Sequence, residues 1–493
     1  MKTLQKIIPK LLILAFFTII TFLTFFIENS IIISYHDPLW NLQSIYKMCN
    51  GSLIYKDTNV LITPIFFIIG KIIFQIFSAN LLTFNIYGTF IFLIKFIVSY
   101  KIFRYLKINK THSLLYVSLL FLIDIATIPS SANYNELAIV FTLFGILLYI
   151  KKYNKKFYNF LQGIIIFLTF FTKQTIGVYY AIGVVLFEFI DIGINAKFFK
   201  NQLLKLTSFI PLTLFSLLIM YIKGNLFDFL NMCFGNLLEF GQSNFKFNSN
   251  YIGYFFGSFI IIFATIFIII KVSTVSDEFK TNLKFLLCLC IPLSLNVLPL
   301  INAYHVTMSF YYYLILFTYL IDVAFINELF SSKKSTYCIV LIVFLIFLAI
   351  FLKATFSYIE IRTSTTVYDK NHPFYGNPVK KTDITQTELI QDYIKRKKEQ
   401  GTSVIIINYD AVRYNLPLGI NNNEFDLLLA GNLGFKGISK TIEKIKNMHN
   451  TEFLMFTDED DCFYQEPKEI RQYIIDNFEK SGDLFNYSIY IKE

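Results

Sequence analysis

The chain has 493 residues, of which 55% are hydrophobic and only 16% charged, and its formal net charge is +10. A water-soluble globule of this length could not solvate that balance, which excludes a soluble enzyme and points to a polytopic membrane protein. The excess of lysine lies mostly at loop ends, where it meets anionic lipid head groups, so it gives no reason to invoke nucleic acid.

Apolar runs near the 17 to 25 residues that cross a bilayer recur at 8–29, 81–103, 112–130, 136–150, 157–172, 175–193, 206–222, 252–271, 284–301, 307–326 and 337–353. This predicts eleven spans. The first run is longer than the apolar core of a signal peptide and no small-residue cleavage site follows it, so it is expected to stay as an anchor.

Ser34-Tyr35-His36-Asp37-Pro38-Leu39-Trp40-Asn41 follows the first span. Ionisable groups at the lipid–water boundary are costly unless they act there, so this stretch reads as an active-site loop. Asp37 before Pro38 also fits a helix start, with Asp as cap and Pro at the first helical position. Lys56 and Asp57 come next, Asp57 reading as a turn residue.

The run from Pro64 to Ser78 is about fifteen residues long and carries Lys71 and Gln75. Placing it flat on the outer interface puts nineteen basic residues at span ends on one side, against six in the short loops opposite. Making it a span would split those clusters, contrary to the positive-inside rule. The N-terminus is then cytoplasmic.

Farther along, Asp124 lies inside the third span, where a carboxylate marks either function or a bond to a neighbouring helix. Asn133-Tyr134-Asn135-Glu136 forms an acidic outer loop, although Glu136 would also favour a helix start. Lys173-Gln174 ends the span after Phe170-Phe171-Thr172, where a lysine can simply snorkel. Asn302 and His305 complete the outer polar set. A carboxylate there can take a proton from an attacking hydroxyl, and lysines can hold a phosphate leaving group. The six cysteines show no metal-type spacing, and no Gly-rich phosphate loop follows a strand.

An odd number of spans leaves the C-terminus outside the cytoplasm. Residues 354–382 read as a linker, with His372-Pro373 and Asn377-Pro378. Residues 383–493 read as a soluble α/β domain: strands at 403–408, 452–456 and 484–491, helices near 438–448 and 467–478. The predicted architecture is an α-helical polytopic membrane protein, with juxtamembrane helices in the first outer loop, a membrane module over 1–353 and this small extracytoplasmic domain.

His36-Asp37-Pro38-Leu39-Trp40, the helix Asn41 to Lys47, Asn50-Gly51-Ser52-Leu53-Ile54-Tyr55-Lys56-Asp57, Thr63-Pro64-Ile65-Phe66-Phe67, Asn133-Tyr134-Asn135-Glu136 and Gly163 through Lys173 together resemble the GT-C superfamily of multi-spanning glycosyltransferases. Protein O-mannosyltransferases and lipid A aminoarabinose transferases are of this type. The resemblance implies a polyprenyl-phosphate sugar donor, Asp37 as catalytic base, and Glu136 with His36 and Asn133 orienting the acceptor or a metal. It makes Lys173 a donor-phosphate contact, and Lys56 and His305 join it as phosphate-binding candidates from their place in the outer polar set. A divalent cation, Mg or Mn, would be held by Asp37 and Glu136. The implied reaction is inverting transfer to a cell-envelope glycan, lipid or protein at the outer face of the plasma membrane. The chain departs from the pattern in lacking a second acid beside Asp37 and a Lys-Pro-Pro lead to the second juxtamembrane helix.

Three other readings stand beside it. A flippase or transporter of lipid-linked saccharide would show internal repeats and broken mid-membrane helices, which the hydropathy lacks. A polymerase or ligase of surface polysaccharide would carry arginines in a large outer loop, whereas the 223–251 loop has Lys223 and Lys246 and no Arg. A non-catalytic scaffold would present the tail domain.

Overall fold

The computed structural model describes residues 2–30, 36–127, 132–151, 156–235, 241, 252–271, 276–298, 301–322, 364–366, 374–376, 378–407, 411–420, 425, 428, 433, 437–456 and 467–492. The predicted span at 337–353 lies outside them. The helices are α1 (Lys2–Ser30), α2 (His36–Cys49), α3 (Ile65–Ile76), α4 (Leu81–Tyr105), α5 (Lys110–Thr127), α6 (Tyr134–Ile150), α7 (Lys156–Phe170), α8 (Gln174–Ile192), α9 (Ala196–Ile222) and α10 (Leu226–Leu230). A π-helical turn, Asn231–Gly235, follows. Then come α11 (Ile252–Lys271), α12 (Asp277–Ser294), α13 (Ala303–Ile321), α14 (Lys381–Glu399), α15 (Ala411–Asn415), α16 (Gly437–Lys446) and α17 (Lys468–Asn477). The strands are β1 (Ser364–Thr366), β2 (Pro378–Lys380), β3 (Ser403–Ile407), β4 (Thr451–Phe456), β5 (Glu479–Leu484) and β6 (Tyr487–Ile491).

Ten predicted spans are helices, and α1, α4, α8, α9 and α11 are long and apolar enough to cross a bilayer by composition alone. The span predicted at 284–301 starts earlier, at Asp277, because Ser276 caps it by accepting from the Phe279 N–H at 3.3 Å. At 12 residues, α3 is about 18 Å long, too short for a hydrocarbon layer of about 30 Å. It buries one face, Phe66, Phe67, Gly70 and Phe74, and packs on α2, as expected of an interfacial helix.

The chain forms two compact units. The first comprises 1–28, 86–216 and 245–357; the second comprises 29–85, 217–244 and 358–493. The first is a helix bundle whose core runs through Phe96, Phe121, Leu143, Tyr180, Leu286 and Tyr311. One end of it collects polar contacts between the lysine-rich span ends: Lys107 to Glu278 at 2.8 Å, Lys205 to Glu188 at 2.7 Å, His112 to Asp322 at 2.6 Å, and Lys151 over the Tyr105 ring at 4.8 Å. These basic clusters therefore share one end of the bundle, as the charge distribution requires.

In the second unit, the C-terminal residues build a four-stranded sheet in the order β3-β4-β6-β5, with β3 and β4 parallel and the other pairs antiparallel. Alternation in β3 divides the core: Val404 and Ile406 pack with Ile390 and Ile394 of α14, while Ile405 and Ile407 pack with Ile445 of α16 and Ile474 of α17. The strand predicted at 484–491 is β6, over Tyr487–Ile491; β5 was not foreseen, and the two form a hairpin turning at Phe485, whose φ is +55°. A Phe-Asn turn lacks the Asn-Gly signature by which such hairpins are recognised. Helix α14 was not foreseen, and β1 pairs with β2 before it.

Candidate active site

Three helices of the first unit begin close together. The α6 start is capped by Asn133, in extended conformation (φ −138°, ψ 137°), whose Oδ1 accepts from the Asn135 N–H at 2.7 Å. Asn302 caps α13 in the same way, accepting from the His305 N–H at 2.9 Å, and the His305 Nδ1 lies 2.9 Å from the same oxygen. Before α8 stands Lys173, also extended (φ −149°, ψ 114°). A lysine has no acceptor, so its side chain gives the first turn of α8 no cap.

Side chains tie the three starts together. Asn135 Nδ2 donates to the Tyr304 hydroxyl at 3.2 Å, and Thr175 Oγ1 to Asn296 Oδ1 at 3.2 Å. The Lys173 ammonium lies 5.1 Å from the centre of the Tyr134 ring, and His305 follows Tyr304, whose hydroxyl Asn135 contacts. Asn133, Glu136, Lys173 and His305, spread over more than 170 positions of the sequence, thus gather at one end of the bundle. Each helix start contributes partial positive charge and N–H donors. Together with the lysine they give this end of the bundle a positive polarisation.

Behind it, Glu136 in the first turn of α6 is completely buried. Its Oε2 accepts from Lys95 Nζ at 2.6 Å, and Asp124 Oδ2 lies 2.6 Å from the same ammonium. The Asp124 contact is an ion pair by distance but is misaligned for a hydrogen bond. All three side chains have no exposure, and the Tyr311 ring covers the ammonium at 4.1 Å. The suspected bond from Asp124 to a neighbouring helix is this ion pair. Lys95 was missed, although the rule that singled out Asp124, an ionisable group inside a span, applies to it equally.

The remaining candidates belong to the second unit. His36 and Asp37 stand in the first turn of α2, so the stretch read as a loop is already helical. Pro38 fits there because first-turn N–H groups have no intrahelical partner to lose. Lys56 is exposed on a turn, where Asp57 Oδ2 accepts from the Leu53 N–H at 2.7 Å, the turn role expected of Asp57. Beside it, buried Tyr55 adopts a φ of +74°. Burial holds its phenol well above the ordinary range, so it stays protonated and donates to the Ile62 carbonyl at 2.9 Å. Asn225 Nδ2 closes the same loop by donating to the Ile54 carbonyl at 3.0 Å.

Among the described residues, no three His, Cys, Asp or Glu side chains come together as a metal site. Glu136 is engaged by Lys95.

No family model matches the sequence, and no curated protein matches it. Among solved structures, the chain is similar to the crystal structure of ArnT from Cupriavidus metallidurans bound to undecaprenyl phosphate. The TM-score is 0.56 at 10% sequence identity, over 97% of each chain. The likeness is one of fold, and it runs along nearly the whole chain.

Proposed function

We propose that the protein is a membrane glycosyltransferase that takes a sugar from a polyprenyl-phosphate donor and passes it to a cell-envelope acceptor. The observation that carries this is the meeting of Lys173 with the N-terminal ends of α6, α8 and α13, in a fold shared with a protein whose structure holds undecaprenyl phosphate. A lipid phosphate needs fixed positive charge at the membrane surface, and developing negative charge on a leaving phosphate is stabilised by the same groups.

In this reading Asp37 removes the proton of the acceptor hydroxyl. The acceptor oxygen attacks the anomeric carbon from the face opposite the phosphate, the bond from that carbon to phosphate oxygen breaks, and configuration inverts through an oxocarbenium-like state. Polyprenyl phosphate leaves with its charge held by Lys173. Phosphate is a good leaving group, so one base suffices where a glycosidase needs two carboxyl groups. Lys56 and His305 are proposed as further phosphate contacts, and His36, Asn133 and Glu136 as groups that orient the acceptor. Glu136 would do so through the α6 start that it anchors.

The test joins binding and turnover. Undecaprenyl phosphate should bind Lys173→Gln about ten- to a hundredfold more weakly than wild type, the range for a hydrogen bond to a charged group. Transfer from a lipid-linked sugar should fall about a hundred- to ten-thousandfold in Asp37→Asn with protein levels unchanged. Undiminished transfer by Asp37→Asn would reject it as the base; undiminished lipid binding by Lys173→Gln would reject the phosphate site.

A further inference from the structure

Two asparagines of the second unit have side chains with no hydrogen bond at either end of the amide: Asn41 in α2 and Asn415 in α15, both with no exposure. Leaving a buried amide unpaired forfeits the full cost of removing it from water, so each needs an explanation. Asn225 offers a contrast, since it uses its Nδ2 on the Ile54 carbonyl and is a loop clamp. Asn41 and Asn415 do no such work. They stand on elements that pack against each other, α15 from the C-terminal domain against α2 from the first outer segment. Asn41 follows Asp37 by four residues in one helix, about one turn.

We infer that Asn41 and Asn415 form a sugar-binding subsite at the packing of α15 on α2, where each amide exchanges its missing bonds with hydroxyls of a bound glycosyl group. The inference rests on the glycosyltransferase reading and deepens it, giving the C-terminal domain a part in substrate recognition. A primary amide carries donors and an acceptor side by side. That matches neighbouring hydroxyls, which do both, and suits neither a phosphate nor a cation, which call for charge. Leu39, Trp40, Leu42, Tyr414 and Leu416 beside them are buried, as are the polar Gln43 and Ser44, and of these neighbours and the two asparagines only Asn41 and Asn415 have amides with neither end hydrogen-bonded. The glycosyl group belongs either to the lipid-linked donor or to the acceptor.

The experiment uses the full-length protein purified in detergent, with Asn41→Leu and Asn415→Leu. Leucine keeps the branched four-atom skeleton of the side chain and removes the unpaired amide, so both variants should stay folded, with unfolding temperatures close to that of the wild type. Binding is measured with three probes: undecaprenyl phosphate, the same lipid carrying glucose or mannose, and the free disaccharide maltose. Each variant is expected to bind the bare lipid as wild type does and to lose about tenfold in affinity for a sugar-bearing probe, the effect of one or two neutral hydrogen bonds. Loss confined to the sugar-loaded lipid assigns the subsite to the donor; loss confined to maltose assigns it to the acceptor. Unchanged affinity for every sugar-bearing probe in stable variants would overturn the inference, leaving the amides as internal defects. A wild-type protein that ignores both lipids would instead reject the lipid-phosphate reading, while the maltose arm still decides the amides.

Discussion

Charge counting determines how the buried cluster behind Glu136 responds to substitution. Two carboxylates, Asp124 and Glu136, face one ammonium, Lys95, in a site without solvent. Removing the lysine strands both acids, and breaking a buried pair from one side costs about 3 to 5 kcal/mol. Removing Asp124 leaves a balanced pair of Lys95 and Glu136. Lys95→Met should therefore lower stability by about 3 to 5 kcal/mol, and Asp124→Asn by about 1 to 3 kcal/mol, as read from unfolding of the purified proteins. The reverse ranking would mean that Asp124, not Lys95, is the hub. A sequence can flag each of these residues as costly, but Glu136 lies 41 positions from Lys95, and nothing local says they meet. The same limit applied to Asn41, which reads as an ordinary helix residue until its amide is seen to be buried without a hydrogen bond.

Helix interiors were legible from their apolar runs, but their starts were read less well: the span predicted at 284–301 begins at Asp277. The caps Asn133, Ser276 and Asn302 are side chains that accept from N–H groups two or three residues on, a signal contained in a few positions. Close approach between helices is not local, and here it depends on glycine. A methyl group on Gly177 would run into the backbone of Phe170 at the end of α7, and one on Gly163 into the Lys205 carbonyl in α9. Backbone cannot yield as a side-chain tip can, so Gly177→Ala should cost about 1 to 3 kcal/mol through overpacking. Gly177 lies four residues past Lys173, and its N–H donates to the Lys173 carbonyl at 3.0 Å. Its alanine variant should therefore also weaken undecaprenyl phosphate binding. A less stable protein with unaltered lipid affinity would show that the α7–α8 approach does not position Lys173.

At the scale of the molecule, sequence reasoning located the membrane helices because the bilayer imposes one length and one polarity on each of them. It was less informative for the C-terminal residues, whose α14 and β5–β6 hairpin depend on packing against a sheet assembled from distant strands. Lys107, Lys151 and Lys205 lie at one end of the bundle, and from the positive-inside rule we propose that this end is cytoplasmic. Lys56 and Lys440, both exposed in the second unit, are then expected on the outer side. With Cys49 and Cys462 replaced by serine, an impermeant thiol reagent on intact cells should label Lys56→Cys and Lys440→Cys but not Lys107→Cys, which should react only after the membrane is opened. Labelling of Lys107→Cys in sealed cells would turn the bundle over. It would place Lys173 and its three helix starts on the cytoplasmic leaflet and overturn the outer-face reading of the site.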